Sequence, residues 1–256
     1  MRTLLRTLLF SLFTLMEYVR SGRLLFELVA TPSFFYVFLM NRWDQQRADA
    51  EHFFTLTSIF TLVITLYTMS SIINLGDRPQ CYLILAGRLG RSSYLMGLYL
   101  SAFTIITGVY LLVSGATIWL SAPEDLTLRG WVVGSVPLLL NAGLLMAFLL
   151  IISPLVFPAG WRLFFLGLVA LAFSRNFISG PVEEAFPPMA RSVLSGLQTI
   201  LSWPLVPGFS GFALALSHEL SVYALIVMTA QGSLLVALLG LALYAFSQRE
   251  LIFSGE

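Results

Sequence analysis

The chain contains no lysine, one cysteine and two histidines, and only 11% of its 256 residues are charged. Each shortage excludes something. A soluble domain carries roughly a quarter charged residues, so water could not solvate the surface of this chain, whereas lipid could. Without lysine, a phosphate-cradling loop of the G-x-x-x-x-G-K-[ST] type is impossible. Cys81 alone can close no disulfide within the chain and build no cysteine-based metal site. His52 and His218 stand in no metal-ligand spacing. These absences predict a chain with no metal and no cofactor. The 14 positive charges are all arginine and sit between apolar runs, not along one stripe, which excludes a nucleic-acid surface.

What remains is overwhelmingly apolar: 58% of the residues are hydrophobic and the mean hydropathy is +0.88. A membrane-crossing helix needs about 20 mostly apolar residues. Runs that meet or approach this length lie at 23–40, 53–73, 94–120, 131–157, 163–177 and 221–246. The sequence therefore predicts an all-α integral membrane protein of six spans with no self-contained soluble domain. The first run is the weakest, because Glu27 and Pro32 lie inside it. The spans hold almost no ionisable residues, so the acid–base cluster of a membrane enzyme is missing.

The first 22 residues form a separate unit ahead of a transmembrane domain at 23–256. On a helical wheel Arg2, Thr3, Arg6, Thr7, Ser11, Thr14, Glu17, Arg20 and Ser21 share about half the circumference. Leu4, Leu5, Leu8, Leu9, Leu12, Leu15, Met16 and Val19 take the other half, with Phe10 and Phe13 as exceptions. Such a helix suits the membrane interface, with its arginines toward lipid headgroups. Charges at Arg6, Glu17, Arg20 and Arg23, and the lack of an A-x-A-like site, make it part of the mature protein and not a signal peptide. Glu27 follows Arg23 by four residues, the spacing of a local ion pair on one helix face.

Arginine also sets orientation. With the amino terminus in the cytoplasm, nine arginines fall inside (Arg2, Arg6, Arg20, Arg23, Arg78, Arg88, Arg91, Arg162 and Arg249) and five outside (Arg42, Arg47, Arg129, Arg175 and Arg191). Both termini are then cytoplasmic. Between the fifth and sixth runs, about 182–218, short apolar pieces at 193–203 and 211–216 are separated by Pro204, Pro207 and Gly208. Neither piece is long enough to span, and the pattern predicts a re-entrant helical segment entering from the outside face.

Hydroxyl and amide residues mark the interior of the spans. Ser58, Thr61, Thr65 and Thr68 form a stripe on the second run, Gly97, Ser101, Thr104 and Gly108 a small-residue face on the third, and Asn141 and Gln231 sit near mid-membrane. Such residues either line a transport path or pack helices together.

This layout resembles the membrane subunits of type-2 ABC exporters, a family that moves polysaccharides, teichoic acids, lipids, drugs and, in one branch, haem. Four features carry the resemblance: the amphipathic amino-terminal helix, the basic connection from Gly76-Asp77-Arg78 to Arg88-Leu89-Gly90-Arg91, the re-entrant segment before the last span, and the aromatic, charge-capped exit Tyr244-Ala245-Phe246-Ser247-Gln248-Arg249-Glu250. Where members of the family often begin that connection with Glu-Arg or Glu-Lys, this chain has Asp77-Arg78 followed by Pro79. The resemblance implies a permease, not an enzyme, that pairs with a second permease subunit in a bacterial cytoplasmic membrane. A separate ABC ATPase subunit would supply the energy, docking on Arg78, Arg88, Leu89, Gly90 and Arg91. Membrane lipids surround it, and a lipid-like or amphipathic cargo suits the nearly charge-free spans. A non-transporting membrane scaffold is the alternative reading.

The topology is testable on a Cys81→Ser background. A cysteine at position 125 should react with an impermeant reagent from the outside only; reaction confined to the cytoplasmic side contradicts the six-span arrangement.

Overall fold

A computed structural model describes residues 2–40, 49–77, 89–121, 123, 125–173, 196, 199, 206–217 and 221–248. Among the described residues every regular element is a helix: α1 (Arg2–Arg20), α2 (Leu24–Phe34) with a π-helical extension (Phe35–Met40), α3 (Ala50–Gly76), α4 (Arg91–Ser121), α5 (Leu128–Ile152), α6 (Ala159–Phe173), α7 (Val206–Ser217) and α8 (Val222–Gln248). Four of them, α3, α4, α5 and α8, are long and apolar enough to cross a membrane. At 1.5 Å per residue their 25–31 residues reach about 37–46 Å, beyond a hydrocarbon core of about 30 Å. The chain is an integral membrane protein.

The first expected span takes a different form. Helix α1 and the α2–π pair qualify as a span only together, and they are bent by 74° at the break between them. Gly22 makes the corner at φ +74°, a left-handed value that lets the chain leave α1 at little steric cost. The Gly22 amide donates to the Val19 carbonyl and the Ser21 hydroxyl to the Tyr18 carbonyl, satisfying groups that the helix end leaves open. Further on, Pro32 has no amide hydrogen to donate to the preceding turn, and the helix continues in π form from Phe35. The fifth expected span is represented by α6, whose 15 residues end at Phe173; 174–177 lie outside the described residues. Of the expected re-entrant segment, α7 is described as a helix, and most of 182–205 is not described.

Helices α3, α4 and α5 form the centre, with α8 against α5 and α4, and α7 lodged on α5, α8 and α3. Close approach depends on small residues. A Cβ on Gly134 of α5 would fall 2.3 Å from Phe54 Cζ, so the Phe54 ring lies directly on the α5 backbone. Tyrosines tie α4 to α5 at two levels: Tyr110 shares a hydrogen bond with Ser135 Oγ at 2.5 Å, and Tyr99 donates to the Gly143 carbonyl at 3.2 Å. Helix α5 begins on Thr127, whose hydroxyl accepts from the Gly130 amide at 3.0 Å. It ends at Ile152, where the Ser153 hydroxyl turns back to the Leu150 carbonyl.

Helix α1 refines its amphipathic reading. Leu4, Leu5, Leu8, Leu9, Leu12, Met16 and Val19 are exposed, as a lipid-facing surface requires, while Leu15 is half-buried against the core. The polar half divides in two. Arg6 and Arg20 point outward, while Thr7, Ser11 and Thr14 are buried together with Phe10 and Tyr18. This buried face packs on α4.

The Phe54–Gly134 contact generates a prediction. Gly134→Ala forces the buried ring to move and should destabilise the protein by about 1–3 kcal/mol, the usual range for overpacking. Phe54→Leu added to Gly134→Ala should restore part of that loss. Thermal unfolding in detergent, followed by monodispersity, checks both; an undisturbed Gly134→Ala variant contradicts the close packing.

Candidate functional site

The connection predicted to receive a partner re-enters the described residues at Leu89 and Gly90 and passes at once into α4. Arg78 and Arg88 lie outside the described residues; Arg91 is the first residue of α4. Its Nη1 donates to the Ser247 carbonyl at 2.9 Å, tying the start of α4 to the last turn of α8. A cation at a helix carboxyl end also meets the partial negative charge of unsatisfied carbonyls.

One turn further on stands Tyr94, fully buried. Its hydroxyl donates to the Gly76 carbonyl at 2.6 Å and so closes the end of α3. Its ring lies 4.9 Å from that of Phe10 on α1 and 6.2 Å from that of Phe246 on α8. Gly76 admits this arrangement because it lacks a Cβ, which would sit 2.7 Å from Leu98 Cδ1 and 3.2 Å from Tyr94 Oη. Gly97 does the same for α1: a Cβ there would fall 2.5 Å from Phe10 Cδ1. Ser101 completes the seam, its hydroxyl 3.0 Å from the Ser11 carbonyl, 3.1 Å from Ser11 Oγ and 2.8 Å from the Gly97 carbonyl. The first three turns of α4 therefore touch the ends of α3 and α8 and the middle of α1.

Deeper in the bundle lie the residues predicted to line a path or pack helices. Ser58, Thr61, Thr65, Thr68, Asn141 and Gln231 are all buried within one chain. Thr65 donates back to the Thr61 carbonyl at 2.6 Å, and Thr68 reaches across to Glu27 Oε1 at 2.8 Å. Ser58 Oγ and Thr61 Oγ1 have no hydrogen-bond partner among the described residues. Asn141 and Gln231 converge at Gly211 of α7, whose added Cβ would lie 2.5 Å from Gln231 Nε2, 3.1 Å from Asn141 Cβ and 3.0 Å from the Pro137 carbonyl oxygen. Thus α7 sits on this pair of buried amides.

The local ion pair expected between Arg23 and Glu27 is replaced by contacts to other helices. Glu27, 2% exposed, accepts from the Tyr18 hydroxyl of α1 and from Thr68 of α3. Arg23 donates to the Ser71 carbonyl of α3, and its own carbonyl accepts from Tyr67 at 3.3 Å.

Comparison with protein-family models, curated proteins and solved structures finds no match to this chain. Its functional reading rests on its own residues. Among the described residues no three His, Cys, Asp or Glu side chains gather to hold a metal ion.

Sequence patterning missed the role of Tyr94 and the destination of Glu27. One signal was present: Phe10, out of place on the apolar wheel of α1, is the residue that enters the Gly97 notch. Tyr94→Phe should cost about 0.5–1.5 kcal/mol through the lost bond to Gly76. Tyr94→Ala should cost about 3–5 kcal/mol, as for other large core truncations. Thermal unfolding of the purified variants measures the difference; equal effects would mean that the ring contributes nothing.

Proposed function

We propose that this chain is the permease subunit of a type-2 ABC exporter, working as a dimer and driven by a separate cytoplasmic ATPase subunit. The observation that supports it best is the position of the basic connection. Its last residues, Leu89, Gly90 and Arg91, lead directly into the turn of α4 where Tyr94 meets Gly76, Phe10 and Phe246. A partner that grips 78–91 would act on α3, α4, α8 and α1 together. A docking site without such a junction would move only its own loop.

The rest of the reading follows from charge and chemistry. Nine arginines against five favour a cytoplasmic place for this end of the bundle and for both chain ends. The four long helices and the bent α1–α2 pair, with α6 as the start of a further span, would fit the six spans of such a permease. With no lysine the chain has no phosphate-binding loop of its own, so hydrolysis falls to the partner. The buried hydroxyls Ser58 and Thr61 and the amides Asn141 and Gln231 lie inside one chain, so a path along them opens only if α7 shifts from its seat at Gly211. The cargo that suits so uncharged an interior is lipid-like or amphipathic.

Arg88→Glu/Arg91→Glu reverses two charges of the docking surface. Co-purification with the ATPase subunit and stimulation of its hydrolysis should both fall at least tenfold, as loss of interfacial charge pairs of about 2 kcal/mol would give. Unchanged binding and unchanged stimulation would remove the docking assignment.

A further inference from the structure

The elbow between α1 and α2 holds a carboxylate and a guanidinium one helical turn apart that do not use each other. Arg23 and Glu27 have the spacing of an intrahelical pair, yet each is turned onto another helix. Glu27 Oε1 takes both hydrogen bonds, from Tyr18 and Thr68, and Glu27 Oε2 is buried with no hydrogen-bond partner among the described residues. The Arg23 guanidinium rests on the Ser71 carbonyl, one turn along α3 from Thr68.

This arrangement has a specific consequence. A carboxylate oxygen left bare in a medium of low dielectric is costly, and the attraction between opposite charges there is stronger than in water. A second arrangement is available by side-chain rotation: the guanidinium leaves the Ser71 carbonyl and takes Oε2. Drawing Glu27 toward Arg23 strains or breaks its bonds to Tyr18 and Thr68, the bonds that tie α1 and α2 to α3. Basic-before-acidic is the weaker order for an i,i+4 pair, which keeps the second arrangement from winning outright.

We propose that Arg23 and Glu27 form a two-position switch at the Gly22 elbow. In the arrangement described, Glu27 clamps α1 to α3 through Tyr18 and Thr68. In the other, Arg23 and Glu27 pair within α2 and the elbow is freed, α1 keeping its seat on α4 at Gly97 and Ser101. Few bonds change, but they join three helices, so a small local movement has two discrete outcomes. The switch is a property of this chain alone and does not depend on the exporter reading.

The test uses the purified chain in lipid nanodiscs on a Cys81→Ser background, with spin labels on cysteines replacing the exposed Leu28 of α2, the helix that Glu27 holds, and Leu66 of α3. Pulsed electron–electron distances report the two states. Glu27→Gln still accepts from Tyr18 and Thr68 but has no charge to draw Arg23, so it should show the clamped distance alone. Tyr18→Phe removes one clamp donor and should raise the ratio of the second population by about tenfold, the effect of one hydrogen bond to a charged group. Adding Arg23→Gln to Tyr18→Phe should abolish that second population. If Tyr18→Phe fails to fold, Thr68→Val removes the other donor and is read in the same way. A single unchanged distance in all variants, or a second population that persists without Arg23, overturns the switch.

Discussion

The hydroxyl of Tyr94 donates to the carbonyl that ends α3 while its ring lies against rings from α1 and α8, and these contacts fix how the helices meet at one end of the bundle. In water such a junction could form from many loosely equivalent contacts. Inside a bilayer, apolar surfaces gain little by leaving lipid for one another, so helices are held by fit and by hydrogen bonds. Tyr94 supplies both. The fit requires glycine at two positions, Gly76 and Gly97, where a methyl group would collide with Leu98 or Phe10. The neighbouring Arg91 adds a bond to the end of α8. Everything that the proposed function asks of this end of the molecule depends on that junction being rigid.

The same constraint explains where the hydroxyls go. Thr57, Thr65 and Thr117 return their protons to carbonyls one turn back on their own helices. Ser101, Tyr99, Tyr110 and Thr68 instead bridge to other helices. The first group satisfies itself and tolerates movement of its neighbours; the second defines which helices move together. Helix α1 belongs to the second group on both sides, through Ser11 to α4 and through Tyr18 and Glu27 to α3. It is a docked element of the bundle with most of its leucines facing outward, and this is why Thr7, Ser11 and Thr14 are buried while Arg6 and Arg20 are not.

Hydropathy alone located the long helices well. The runs at 53–73, 94–120 and 221–246 correspond to α3, α4 and α8, and the run at 131–157 to α5, which stops earlier because Ser153 turns the chain. Hydropathy fails where length and polarity stop being informative. The first run contains Pro32 and a buried acid, and the elbow at Gly22 depends on a backbone angle that periodicity does not report. The wheel of α1 separated apolar from polar residues but carried no sign of which polar residues meet protein and which meet headgroups. The spacing of Arg23 and Glu27 suggested a pair, and tertiary partners on α1 and α3 won. For the candidate site, the small-residue face of α4 was visible at Gly97 and Ser101. Its match to Phe10 joins residues almost ninety positions apart, which no local pattern encodes.

Tyr94 unites α1, α3, α4 and α8 at one end of the bundle. Hydrogen exchange of the purified chain in nanodiscs, comparing wild type with Tyr94→Ala, tests it without any partner. Tyr94→Ala should speed amide exchange at three separate places at once: around Phe10 in α1, in the last turn of α3 before Gly76, and in the last turn of α8 around Phe246. Faster exchange confined to the first turns of α4, with the other three segments unchanged, would contradict it.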